Sequence, residues 1–217
     1  MALPNDLDRL LDAEQGWPVP MSEAEYLEFE RRSRWKHEYV DGLVWLWSGY
    51  DFLDSATGLA GASEEHNLIQ GNLYAWARPL ARAAGCRVFF SEMRFRTRLG
   101  ARYFYPDLMA VCDSAPDDTR YDKTRPCFIV EVLSPGQDLD EFRAERIELA
   151  DKLQAYQSVP SMQTYLVVAQ RQRRVIWHHR AADGAWLADV LTEGSLSVPC
   201  LGGELSLESI YEGVSIG

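Results

Sequence analysis

The segment FIVEVLSP, residues 128–135, sets a glutamate inside an otherwise apolar run. A run of this kind reads as a strand covered on both faces. Glutamate is almost never fully buried alone, because stripping water from a carboxylate costs several kcal/mol. Glu131 therefore needs a cation, a metal or a proton. Asp107, near the start of YPDLMAV, repeats the anomaly in the preceding strand. Two carboxylates at neighbouring strand ends repel each other unless positive charge sits between them. A hard divalent cation satisfies both, and Mg²⁺ is commonly held by one or two carboxylates. A structural salt bridge or a solvated strand end satisfies them as well, and the pair alone leaves that choice open.

Three more polar residues stand in apolar company. In ELADKLQAY, helical spacing puts Lys152 on one stripe with Leu149, Leu153 and Tyr156. It is either a lysine snorkelling from the stripe's edge or an ammonium that reaches the carboxylates. Glu38, in HEYVDG, lies among aromatic and β-branched neighbours, and His66, in ASEEHNLI, opens a long helical pattern near its apolar side.

Around these residues the chain reads as alternating helices and strands. Met21–Arg34 is expected to be helical, with Ser22 as N-cap and Glu25 completing a capping box. His37–Trp47 is a β pair broken at Asp41-Gly42, and Glu64–Ala84 is a helix stopped by Gly85. Strands are expected at Arg87–Arg98, Tyr103–Cys112 and Phe128–Leu133, then a helix over Asp140–Tyr156. Gln163–Ala169, Arg174–His179 and Trp186–Leu191 follow as strands, with a short strand and a turn near Leu205–Tyr211. Residues 1–20 form an acidic extension and residues 21–217 a single domain.

The net charge of −11 argues at first against a polyanionic partner. Its distribution weakens that argument. Residues 1–30 hold eight acids against Arg9, and residues 181–217 hold six acids with no Lys or Arg, so the body between them is slightly basic. There Arg94, Arg96 and Arg98 alternate with Phe95 and Thr97. In a strand all three arginines share one face, either a phosphate-facing ladder or a solvated edge.

Cys86, Cys112, Cys127 and Cys200 form no CxxC pair and sit among apolar residues. Structural zinc favours close-spaced ligand pairs and disulfides an oxidising compartment, so four reduced core thiols are expected. No apolar run approaches the roughly 18 residues of a membrane span. The acidic N-terminus lacks the pattern of a signal peptide, and a cytoplasmic product is expected.

The motifs HEYVDG, GASEEHN, YPDLMAV, FIVEVLSP and DKLQAYQSVPSMQTYLVV, taken in order, resemble the restriction-endonuclease family Uma-two (Uma2). WLADVLTEGSLSVPCLGGELSLESIY resembles the family's closing segment. The resemblance implies the PD-(D/E)XK nuclease fold, an α/β (α+β) restriction-endonuclease-like mixed sheet flanked by helices, here with extra N- and C-terminal β elements. It also implies a metal site for phosphodiester hydrolysis. Asp107 matches the PD aspartate and Glu131 the second acid, both metal ligands. The lysine usual two residues after that acid is absent, since position 133 is Leu; Lys152 on the following helix matches it instead. Glu38 and His66 match further polar positions of the family's site. An acidic stretch, DLDEFRAERIELA, lengthens the path from Glu131 to Lys152, and YDFLDSATGL is an insertion ahead of GASEEHN.

The expected function is a Mg²⁺- or Mn²⁺-dependent DNA endonuclease with Asp107, Glu131, Lys152, Glu38 and His66 as its catalytic set. Arg94, Arg96 and Arg98 are its candidate nucleic-acid contacts. A degenerate nuclease fold serving as a binding module is the alternative, and a hydrolase of smaller phosphodiesters a third reading. Trp45, Trp47 and Tyr50 cluster where two copies can pair, so a homodimer is expected.

Overall fold

The computed structural model describes residues 18–33, 35–46, 62–97, 102–116, 118–133 and 143–216. Strand β1 (Val19–Pro20) leads into helix α1 (Glu23–Arg32). The Ser22 side chain accepts the Glu25 N–H while Glu25 bonds back to the Ser22 N–H, so the expected capping box is formed. Strands β2 (His37–Val40) and β3 (Leu43–Leu46) make a hairpin whose turn residues, Asp41 and Gly42, both have positive φ. That requirement explains the Asp-Gly pair. Helix α2 (Glu64–Ala83) is capped by Ser63 and ends at Gly85, which takes the left-handed conformation.

Two long strands expected from the sequence each divide. Arg87–Arg98 becomes β4 (Arg87–Phe90) and β5 (Arg94–Arg96), with Ser91 at positive φ between them. Tyr103–Cys112 becomes β6 (Arg102–Phe104) and β7 (Leu108–Val111). At both breaks the chain changes sheets, which apolar continuity does not reveal.

A two-residue strand β8 (Asp122–Lys123) precedes β9 (Phe128–Val132) and helix α3 (Arg143–Gln157). Then come β10 (Thr164–Val168), β11 (Val175–Arg180), β12 (Trp186–Leu191), the hairpin of β13 (Ser195–Val198) and β14 (Gly203–Ser206), and a closing turn of helix α4 (Leu207–Ile210). A 3₁₀ turn, Pro199–Leu201, joins the last two strands.

One six-stranded sheet has the order β1-β3-β2-β6-β5-β8 and the other β12-β11-β10-β9-β7-β4. The second is mixed: β10 runs parallel to β9, and its other pairings are antiparallel. Its residues alternate between two cores, as strand pleating demands. Phe128, Val130 and Val132 of β9 join Leu73 and Ala77 of α2 and Leu205 of β14 on one face. Ile129 faces the other core, with Phe95, Phe104 and Tyr156. Glu131 falls on that second face, toward α3.

The cysteines depart from the expected reduced thiols. Cys86 is disulfide-bonded to Cys112 and Cys127 to Cys200. Antiparallel register gathers Cys86, Cys112 and Cys127, and the 3₁₀ turn Pro199–Leu201 brings Cys200 to them.

Candidate active site

Asp107 precedes β7 and Glu131 lies near the end of β9. Because these strands are antiparallel, with Leu108 opposite Val130, both acids occupy the same end of the sheet. Glu38 comes from β2 of the other sheet, and α3 supplies Lys152 from the side. All four side chains are buried, and Lys152 is only 3% exposed.

Lys152 Nζ lies 3.0 Å from Glu38 Oε1 and 3.6 Å from Glu131 Oε2. Across the longer separation from Glu131, α3 therefore brings the ammonium to the acids. The Tyr156 hydroxyl, one turn further on, donates to Glu131 Oε1 at 2.6 Å. Burial first, and then the neighbouring Asp107 and Glu38, push Glu131 up to about 8 against the pull of Lys152. The cluster holds more negative charge than its lysine offsets.

Asp107 is fixed from two directions. Its Oδ2 accepts the Val132 N–H at 2.7 Å, and its Oδ1 lies 3.0 Å from His66 Nε2. The other ring nitrogen, Nδ1, is 3.3 Å from Gln170 Nε2, which also donates to the Leu133 carbonyl. Ser63 Oγ, at the N-cap of α2, donates to Gln170 Oε1 at 2.5 Å. A Gln170 amide donating to Nδ1 leaves the His66 proton on Nε2, where it is donated to Asp107. His66 thus holds the Asp107 carboxylate by a hydrogen bond.

Gln170 and Ser63 escaped the sequence reading. Gln170 follows β10 in the polar string QRQRR and looks like loop, yet it is buried at 3% exposure. Tyr156 had the opposite fault, since on a helical stripe it reads as plain core.

The expected arginine ladder is corrected at Arg94. Arg94 is buried at 8% exposure, with Nε 2.6 Å from Asp122 Oδ1 and its guanidinium over the rings of Tyr26 and Tyr103. It belongs to the interior, on neither a phosphate-facing nor a solvated edge. Arg96 is half-buried on the same strand, and Arg98 lies outside the described residues, as do Trp47, Tyr50 and the YDFLDSATGL insertion.

Glu38, Asp107 and Glu131 are hard oxygen donors of the kind that bind a divalent cation, with water making up the rest of its shell. Each oxygen of Asp107 keeps a lone pair beyond its present bond. By donor chemistry these residues could hold a Mg²⁺ or Mn²⁺ ion.

A mixed sheet flanked by helices, with acids on adjacent strands at one end, is the architecture of the restriction-endonuclease-like nucleases. Residues 23–208 match the family model Uma2, described as "Putative restriction endonuclease", and the chain belongs to that family. Among similar proteins, slr1290 of Synechocystis sp. is 27% identical over 200 residues, 91% of this chain and 95% of that protein. A second Synechocystis protein, sll1609, is 30% identical over 172 residues, 77% of this chain and 85% of its own length. Both are described as uncharacterized. The crystal structure titled a putative nuclease belonging to DUF820, from Anabaena variabilis, superposes with a TM-score of 0.59. It covers 96% of this chain and 98% of its own at 15% identity, a likeness of fold. Among the described residues no helix is long and apolar enough to cross a membrane.

Proposed function

We propose that the protein is a Mg²⁺- or Mn²⁺-dependent endonuclease that hydrolyses DNA phosphodiester bonds. The observation that carries this reading is the buried convergence of Glu38 and Glu131 on a single lysine, Lys152, with Asp107 buried at the same end of the sheet. Asp107 and Glu131 would hold the cation, with Glu38 as a further ligand directly or through water. A bound divalent cation polarises a phosphate and makes water a stronger nucleophile.

The chain's own residues do the rest. His66, steadied by Gln170, aims Asp107, while Tyr156 holds the Glu131 carboxylate in one orientation. Lys152 offsets the negative charge that grows on the phosphate as the bond to water forms. A bound cation would share the charge of the acids with Lys152 and leave the ammonium available for that task. Cutting both strands of a duplex suits a homodimer, and Trp45, 43% exposed, lies on the strand expected to pair. The reading places the enzyme in the cytoplasm.

Calorimetric titration with Mn²⁺ tests it. Wild-type protein binds, and Asp107→Asn or Glu131→Gln weakens binding at least tenfold. No binding by folded wild-type protein contradicts the proposal and favours the degenerate binding module.

A further inference from the structure

The four cysteines, scattered in sequence, meet at the end of the sheet remote from the acids. Cys86 precedes β4, Cys112 follows β7 and Cys127 precedes β9. Since β4 and β9 both run antiparallel to β7, these three positions share one end of the sheet, and Asp107 and Glu131 occupy the other. Cys200 arrives in the 3₁₀ turn Pro199–Leu201 between β13 and β14.

The two disulfides lie against each other. Cys112 Sγ is 3.4 Å from Cys127 Sγ, and the sulfurs of Cys112, Cys127 and Cys200 all lie within 4.8 Å of one another. Cys86, bonded to Cys112, sets the fourth sulfur beside this group of three. Cys86 and Cys127 are buried, and the other two are half-buried against the same core. Cross-linking requires two pairs of sulfurs but does not require that the pairs touch. A tetrahedral thiolate site does require it: metal–sulfur bonds of about 2.3 Å set neighbouring sulfurs about 3.8 Å apart. Soft thiolates select zinc over magnesium. Three sulfurs this close match the edge of a one-ion site, and Cys86, freed from Cys112, is the adjacent fourth ligand.

We infer that the cysteine cluster is a redox-dependent site for one thiophilic divalent cation, zinc by preference, held by Cys86, Cys112, Cys127 and Cys200. The two-disulfide form is its oxidised, metal-free state. Four equivalents of a small thiol reductant open the two disulfides by exchange, leaving four cysteine thiols and two molecules of the reductant's own disulfide. The cation then binds four thiolates and displaces their four protons. In either state the centre ties the β13–β14 hairpin to the sheet that carries the acids. Sequence spacing hides it, because three of the four ligands are brought together by strand register.

The test uses the full chain, reduced with a phosphine, stripped with chelator and titrated anaerobically with Co²⁺. The expected result is one cobalt per chain, with a thiolate-to-cobalt charge-transfer band and intense visible d–d bands of a tetrahedral sulfur site. Zn²⁺ bleaches these bands and raises the melting temperature, and excess Mg²⁺ does neither. Glu131→Gln keeps the spectrum, Cys112→Ser and Cys200→Ser alter it, and unreduced protein gives no thiolate band. A reduced wild-type protein without that band overturns the inference whether or not the variants fold. Bands unchanged in both serine variants overturn it as well.

Discussion

Lys152 stands 3.0 Å from Glu38, an ion pair that joins α3 to β2 across the gap between the two sheets, with Glu131 on the ammonium's other side. Both partners are buried, so removing Glu38 leaves the ammonium to Glu131 alone, 3.6 Å away, and breaks a buried pair. Glu38→Ala should destabilise the protein by on the order of 3 kcal/mol, read as a lower urea midpoint. Glu38→Gln, which keeps a hydrogen-bonding oxygen, should cost less. Equal midpoints for wild type and Glu38→Ala would show that the pair does not form.

The unusual ionisation of Glu131 gives a pH dependence with a definite sign. An ordinary glutamate ionises near 4.5, and burial among acids pushes this one to about 8. Between those values the folded chain keeps a proton that the unfolded chain has released, so stability falls as pH rises. Metal-free wild type should melt progressively lower from pH 5 to pH 8 relative to Glu131→Gln, which lacks the titrating group. Adding Mn²⁺ should reverse the trend in the wild type and leave the variant unmoved. Parallel melting curves for the two proteins would contradict this account of the site.

Gln170 and His66 act through Asp107, and their loss should appear in the metal dependence. Partners of a ligand typically contribute 10–100-fold to metal affinity or activity. Gln170→Ala should raise the Mn²⁺ concentration needed for half-maximal cleavage by about tenfold, and saturating metal should recover most of the rate. A variant whose metal titration matches wild type would assign Gln170 to structure alone.

Arg94 separates the interior reading from the DNA-contact reading. A buried arginine paired with Asp122 is expected to cost about 3–5 kcal/mol when truncated. Arg94→Ala should therefore lower the melting temperature, and the doubly apolar Arg94→Met/Asp122→Leu should recover much of it. A phosphate contact would behave otherwise, weakening DNA binding and flattening its salt dependence with the fold intact.

Much of the site was legible because its residues break local rules. A glutamate inside FIVEV, an aspartate at the head of LMAV and a lysine on an apolar helical stripe each violate the pattern around them, and the fold gathers all three. The capping box at Ser22 and the Asp41-Gly42 turn were legible because their chemistry is local. What escaped depends on distant partners. Arg94 alternates like a surface residue, but its partner Asp122 lies 28 positions away. Gln170 sits in polar sequence and is buried only because β10 places it beneath His66. The strands around Ser91 and Pro106 look continuous, and only the change of sheet divides them. The cysteines looked independent for the same reason.

The central claim is metal-dependent hydrolysis of DNA at Asp107, Glu131 and Lys152. Its most direct measurement is supercoiled plasmid incubated with purified protein and Mg²⁺ or Mn²⁺, wild type beside Glu131→Ala and Lys152→Met. Nicked or linear DNA should appear only with metal and wild-type protein, with at least a hundredfold less in either variant. Cleavage that persists in chelator, or that Glu131→Ala performs at the wild-type rate, would contradict it.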